Sequence, residues 1–377
     1  MTFPADLPAL TSVRFVLALG VVLFHYQLQW VWDTSAVTGV LERARLGVDA
    51  FFILSGFVLT HAYRRAIADG TLHYRRFLAA RLARIYPAHL AVLLLVLVMV
   101  GAATLVGDSF NRDFYNLPGL VATVALVHAW FPGGLVAEWN GPSWSLSAEW
   151  FAYLIFPAYA WLGFALRRRP LLLLVMAVAA FALLDQAYYV VFNDSVVHAE
   201  ARLGILRIAP EFLYGVALYR LGERLNPSAA LARGGAALAA LVLVAAMHVQ
   251  LDDRAIVALA GPVVLTFGLL SKTRAEGLLA HPAPVAAGEA SYALYLLHMP
   301  VLIGWKGIAA VVTGRPSSYL LARWEVASLL VLTIAAAFAL HWVVERPART
   351  WIRRGVDRVW TPSAAVTMTT GSQPPDV

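Results

Sequence analysis

The chain has 377 residues, 60% of them hydrophobic and 14% charged, with a formal net charge of +7 and no cysteine. That balance excludes a soluble globular protein of this size, and the missing cysteine excludes disulfides, thiolate metal sites and a cysteine acyl-enzyme. A mean hydropathy of +0.71 arises from continuous apolar runs of about 20 residues rather than from alternation, so the expected fold is all-α, a polytopic membrane helical bundle and not an outer-membrane barrel.

The first run, LPALTSVRFVLALGVVLFHYQLQW at 7–30, is too long for a cleavable signal peptide and lacks a small-residue cleavage site. It carries Arg14 and His25. Ionisable groups at membrane depth cost roughly 2.5–3.5 kcal/mol on insertion scales and usually mark function. On an α-helix their spacing puts both on one face, about three turns and roughly 16 Å apart. A cation at one end and a candidate base at the other suit a long ligand with an anionic head, lying along the helix.

About ten spans are expected, near 8–30, 46–63, 85–106, 144–166, 171–192, 203–222, 231–249, 255–271, 287–312 and 321–345. A shorter apolar stretch at 117–131 is flanked by Pro118, Pro132, Gly133 and Gly134. With a cytoplasmic N-terminus, the cytoplasmic loops collect Arg64, Arg65, Arg75, Arg76, Arg81 and Arg84, then Arg167, Arg168 and Arg169, and finally the arginines from Arg346 to Arg358. Making 117–131 a full span would invert that bias, so it reads as re-entrant or peripheral, with both termini cytoplasmic. The basic charge thus sets topology and gives no reason to expect nucleic acid. The outer connection 107–143 is long enough, with its own apolar piece, to be a lid or binding element, or more plainly a tether packed on the bundle. One membrane domain is expected over 1–358, followed by a small, polar, disordered tail at 359–377. The matched broken helices of an inverted-repeat transporter are missing.

Polar residues then sort by depth. Glu149, in GPSWSLSAEWFAY, falls at the level of His25, so the two make a base with its orienting carboxylate, two separate acid–base groups, or a buried pair that joins helices. In GVDAFFILSGFVLTHAY, Asp49 stands near the outer rim. Ser55 and Gly56 lie at mid-depth, where Gly56 either packs a neighbouring helix or leaves room for a ligand arm. Arg81 and Arg84 are one turn apart at the inner membrane edge; they suit membrane anchoring or bidentate phosphate binding, converging with Arg14. His298 sits in mid-span, as a helix–helix hydrogen bond or a channel-lining group. Glu211 is a buried carboxylate without an evident partner, Asp185, Asp252 and Asp253 are near the outer face, and Glu345-Arg346-Pro347 reads as a helix stop with an interfacial ion pair. No metal-ligand spacing, phosphate-binding glycine loop or serine-hydrolase elbow occurs.

Taken in order, Arg14 with His25, GVDAFFILSGFVLT, RFLAARLARIYP, GPSWSLSAEWFAYLIFP, SYALYLLHMP and VERPA resemble the acyltransferase family 3 membrane proteins, over most of the chain. These are bacterial O-acyltransferases of polysaccharide and O-antigen acetylation and their relatives. The resemblance implies a bacterial inner (plasma) membrane protein that takes an acyl-CoA donor, usually acetyl-CoA, from the cytoplasm. The acyl group passes to a hydroxyl of a glycan or lipid-linked saccharide acceptor. It implies that Arg14, Arg81 and Arg84 hold the nucleotide phosphates, that His25 is the catalytic histidine, and that Glu149 is the acidic residue of a tryptophan-rich motif. Some relatives carry an appended SGNH-type hydrolase domain; the chain ends before one, so transfer is expected to be completed alone or with a separate partner.

The helix spacing agrees: a head clamped at Arg14 brings a thioester roughly 16 Å along to His25. His25 would deprotonate the acceptor, Glu149 orient it or the imidazole, and Trp144 and Ser147 are candidate oxyanion donors. With Ser55 and Gly56 along the donor arm and Asp49 and His298 towards the acceptor, the site needs no metal. With no cysteine, direct transfer is favoured over a thioester intermediate, and direct transfer and an acyl-imidazole on His25 both stay open. The competing readings are a transporter, a partner of a glycan synthase without acyl transfer, and an enzyme that moves succinyl or a longer acyl or acylates a small molecule such as a macrolide. The acceptor and the oligomeric state are left open.

Overall fold

A computed structural model of the chain describes residues 2–105, 114–133, 139–316 and 318–360. In chain order the helices are α1 (Pro8–Gln27), α2 (Val40–Arg43), α3 (Gly47–Ala68), α4 (Tyr74–Leu105), α5 (Leu117–Val124), α6 (Trp144–Leu154), α7 (Phe156–Ala165), α8 (Pro170–Phe192), α9 (Gly204–Arg224), α10 (Ala229–His248), α11 (Asp253–Thr273), α12 (Pro282–Thr313), α13 (Arg323–Leu340) and α14 (Arg346–Trp360). Among the described residues there is no strand, only a single parallel bridge between Trp30 and Leu321. The fold is all-α and polytopic.

Among the described residues, eight helices are long and apolar enough to cross a membrane. The two remaining expected spans are built differently. The stretch 144–166 is α6 and α7 in succession, broken at Ile155, one residue before Phe156-Pro157; Pro157 removes a backbone donor, so the helix is interrupted there. The stretch 203–222 is α9, which carries Arg207, Glu211 and Arg220, all buried by its neighbours. The tail, from residue 361, lies outside the described residues, as do 106–113 and 134–138 of the long connection.

Local chemistry sets the helix ends. Proline opens α1, α8 and α12, where its missing N–H would have had no partner in any case. Ser228 and Asp252 accept from the first-turn amides of α10 and α11, and Gly314, at φ 69°, ends α12 in the left-handed conformation.

Helix α1 packs along α12, and α3 along α9. Glycines set these crossings. A Cβ on Gly215 would meet the Ile53 carbonyl oxygen at 1.9 Å, and one on Gly56 the Phe212 carbonyl oxygen at 2.1 Å. Gly56 is therefore a packing glycine on the α9 face of α3, and leaves no room for a ligand arm. Close approach of this kind supplies the van der Waals contact that drives helix association inside a bilayer.

The 117–131 stretch is no span. Helix α5 lies against α4, where the Tyr86 hydroxyl donates to the Val124 carbonyl at 2.9 Å and His89 Nε2 pairs with the Thr123 carbonyl at 3.0 Å. The chain turns at Leu126, with φ 57°, and passes to α6, where Ser147 Oγ accepts from the Ala129 amide at 3.0 Å. The short α5 does not cross, in keeping with the expected re-entrant or peripheral segment.

The chain does not stop at Glu345. A π-helical turn, His341–Glu345, joins α13 to α14, and the helix runs on through Pro347. The wider turn accommodates the proline's missing donor and its clash with the carbonyl four residues back. It also turns His341 and Glu345 inward, both buried.

Candidate active site

A cavity of about 190 Å³ lies between α1, α3, α4, α6 and α12. Each helix lines it by its own periodicity. Helix α3 presents Val48, Phe51, Phe52, Ser55, Val58 and Leu59, and α6 presents Ser145, Leu146, Glu149 and Tyr153. Helix α4 contributes Arg81 and Arg84, α12 Ser291, Tyr292 and Tyr295, and α1 Arg14. These are stripes of residues three and four apart, so each helix turns one face to the space.

The sequence-predicted residues divide along those stripes. Arg14, Arg81, Arg84, Ser55 and Glu149 come together. Glu149 Oε1 accepts from Ser55 Oγ at 2.7 Å and from the Tyr153 hydroxyl at 2.6 Å, and stands within electrostatic reach of Arg14. Arg81 lies over the rings of Tyr63 and Phe77 at 5.7 and 5.9 Å. Arg84 lies 5.1 Å over the Tyr292 ring and pairs with buried Glu345. Glu345 in turn accepts from His341 Nδ1 at 3.0 Å.

Other expected members face elsewhere. Asp49 is fully buried on the α9 face of α3, held by both arms of Arg207 at 2.8 and 2.7 Å, so no acceptor touches it. Trp144 packs over that same Arg207, 5.1 Å from its guanidinium carbon. Ser147 is fully buried and engaged by the Ala129 amide and the Leu126 carbonyl. Two residues before Glu149, Ser147 lies on nearly the opposite side of α6, whereas Ser145, at helical spacing, is the serine that lines the cavity. Asp253 accepts from Arg43 at 2.6 Å and also from Arg45, and Asp185 from Arg254 at 2.7 Å; both are bound up in surface pairs.

His25 meets His298 rather than Glu149. His298 continues the Ser291–Tyr295 stripe of α12 by one turn and is fully buried; it touches His25 and not solvent. Its Nδ1 lies 2.5 Å from the Tyr295 carbonyl, an acceptor, so that nitrogen carries the proton and Nε2 a lone pair. His25 Nδ1 faces two acceptors, the Val21 carbonyl at 2.9 Å and His298 Nε2 at 3.2 Å. It therefore carries the proton too, and His25 Nε2 is left basic. Through Tyr295 this pair adjoins the cavity, and Phe24, beside His25 at 5.0 Å between rings, lines a separate mouth of about 330 Å³ with Gln27, Trp30, Trp32, Asp33, Glu42 and Arg43.

Some members of the site were missed in the sequence. Arg349 of α14 stands within electrostatic reach of Arg14 and Arg84, and Glu345 holds Arg84. The arginines at 346, 349 and 353 repeat at helical spacing, a signal absorbed by reading them as loop charges beyond a helix stop. Among the described residues, no group of three or more His, Asp or Glu side chains gathers as a metal site.

Residues 7–342 match the family model for the family 3 acyltransferase domain. The acyltransferase MdmB of Streptomyces mycarofaciens is 30% identical over 379 residues, covering 90% of this chain and 91% of that protein. A Staphylococcus aureus (strain COL) protein, named as a candidate O-acetyltransferase, is 28% identical over 159 residues, 40% of this chain but 24% of that protein. Protein 2 of the picA locus in Rhizobium radiobacter is 31% identical over 191 residues, 47% of this chain and 93% of that protein. No solved structure matches. A multi-pass membrane bundle with this ordered set of motifs over nearly its whole length belongs to acyltransferase family 3, and is an O-acyltransferase.

Proposed function

We propose that the enzyme moves an acyl group, acetyl first among them, from cytoplasmic acyl-CoA to a hydroxyl of a glycan or glycolipid on the far side of the bacterial inner membrane. The observation that carries this reading is the shared helix α1, which places Arg14 in an arginine-lined cavity and, three turns further along, His25 with a basic Nε2. Guanidiniums supply bidentate partners for a diphosphate. The cavity is narrow and mostly apolar, as an extended thioester arm requires.

In this reading His25 Nε2 takes the proton of the acceptor hydroxyl as its oxygen attacks the thioester carbonyl. The tetrahedral adduct collapses, the C–S bond breaks, and the imidazolium returns the proton to the departing thiolate. The products are the ester and free coenzyme A, so atoms and charge balance without a metal. His298 holds the tautomer that makes His25 a base. Glu149 is a counter-charge among the arginines, fixed by Ser55 and Tyr153, rather than the orienter of His25. The mouth beside Phe24 has aromatic faces and several hydrogen-bonding groups, the mixture that sugar hydroxyls and ring faces require, and is the acceptor's approach.

The test is transfer of label from acetyl-CoA to membrane glycan by the purified enzyme. Binding of coenzyme A without any acylated product, across glycan acceptors, would set this reading aside.

A further inference from the structure

A second, wider cavity of about 780 Å³ adjoins the first. Arg14 and Val58 line both, so a single guanidinium stands at the neck between a narrow chamber and a wide one. The wide chamber lies between the N-terminal segment 2–7 and the end of α3. Its walls are built. Phe3 is buried against Phe57 and Tyr219, with ring centroids 5.7 and 5.4 Å away, and His61 Nε2 pairs with the Ala5 carbonyl at 3.1 Å. Arg64 donates to the His61 carbonyl at 2.7 Å, Arg65 stands at the exposed rim, and Asp6 is the acidic group on the wall.

We infer that this chamber seats the 3′-phosphoadenosine end of the donor, with Arg14 on the diphosphate at the neck and Arg64 and Arg65 on the 3′-phosphate. The inference rests on the acyl-CoA reading above. Size decides between the chambers: nucleotide-sized ligands occupy pockets of roughly 300–1,000 Å³, so the wide chamber admits a nucleoside and the narrow one only the arm. Charge decides the end, since guanidiniums beyond the neck match a phosphate monoester set apart from the diphosphate. The segment 2–7 then forms part of the donor site rather than a leader to the first span.

A rival seat exists. A cavity of about 290 Å³ between α3, α4 and α14 is lined by His73, Arg76 and Arg353. It shares no lining residue with the reaction cavity, and Arg81, over Tyr63 and Phe77, stands between the two.

The experiment is equilibrium binding of coenzyme A and of dephospho-coenzyme A, which lacks only the 3′-phosphate, to the purified full chain. The native protein is expected to prefer coenzyme A by roughly tenfold to a hundredfold, the scale of charge-assisted hydrogen bonds to one phosphate. In the double variant Arg64→Gln, Arg65→Gln the preference collapses while dephospho-coenzyme A binds as before, which also reports that the variant is folded. Arg65→Gln alone, at the exposed rim, lowers the preference in part and serves if the double variant loses both ligands. Arg353→Gln keeps the preference. Equal binding of the two ligands by the native protein overturns the inference, as does a preference lost in Arg353→Gln and kept in the double variant. Binding of neither ligand by the native protein removes the donor reading itself, and this seat with it.

Discussion

Two buried ionic clusters of this bundle use the same residue types to opposite ends. On the α9 face of α3, Asp49 and Arg207 meet through two parallel hydrogen bonds, with Glu211 beside them. Their exposures are 0%, 1% and 2%, and they line none of the four cavities described above. On the other face of α3, Arg14, Arg81, Arg84 and Glu149 border a cavity. There the acids take up only part of the positive charge, because Glu149 bonds to hydroxyls and Glu345 is shared between Arg84 and His341. An intramembrane charge marks a site when space and unanswered charge accompany it. Where opposite charges close on each other in a dry interface, it marks a joint between helices.

That contrast can be tested by removing one member at a time. The largest effect is expected at His25: His25→Ala should lower acyl transfer by about 10²–10⁴-fold with coenzyme A affinity unchanged, read as turnover against binding on the same preparation. Next comes the dry pair. Arg207→Ala should cost about 3–5 kcal/mol of stability by stranding Asp49, seen as lost monodisperse protein or a lowered Tm. Joint replacement, Asp49→Leu with Arg207→Met, should recover much of it; a single Arg207→Ala variant that is stable but inactive would move that pair into the site. Arg14→Ala should leave the fold intact and weaken coenzyme A binding by roughly tenfold to a hundredfold. The smallest change is expected from Ser55→Ala, which removes one of the two hydroxyls that bond Glu149 Oε1 and should slow transfer by about 2- to 10-fold, with Tm unmoved.

Much of this was legible from residue order. Long apolar runs can satisfy their backbone in a bilayer only as helices, so the class of fold followed from composition. Arg14 and His25 lie on one helix, and Arg81 and Arg84 on another, so their relations are local and spacing suffices. That 117–131 is not a full span followed from charge bias, because an added crossing would have carried arginines to the wrong side.

Apart from the convergence of Arg14 with Arg81 and Arg84, relations between helices were not legible. Depth alone brought Glu149 to His25, but depth says nothing of rotation, and α6 turns Glu149 towards Ser55 and Arg14 while α12 brings His298 to His25. Rotation also separated Asp49 and Gly56, on the face of α3 that meets α9, from Ser55 on the face that meets the cavity. Close packing of α3 on α9 at Gly56 and Gly215 sets that rotation, and it is a property of two surfaces together. Pro347 looked like a stop because its local effect is to break a helix, yet the π turn before it lets α14 continue and bring Arg349 to the arginines of α1 and α4. Covalent order and the bilayer thus settle which segments are helices and how deep each residue lies; the mutual packing of those helices settles which residues meet, because contact depends on the facing of two elements and neither carries it alone.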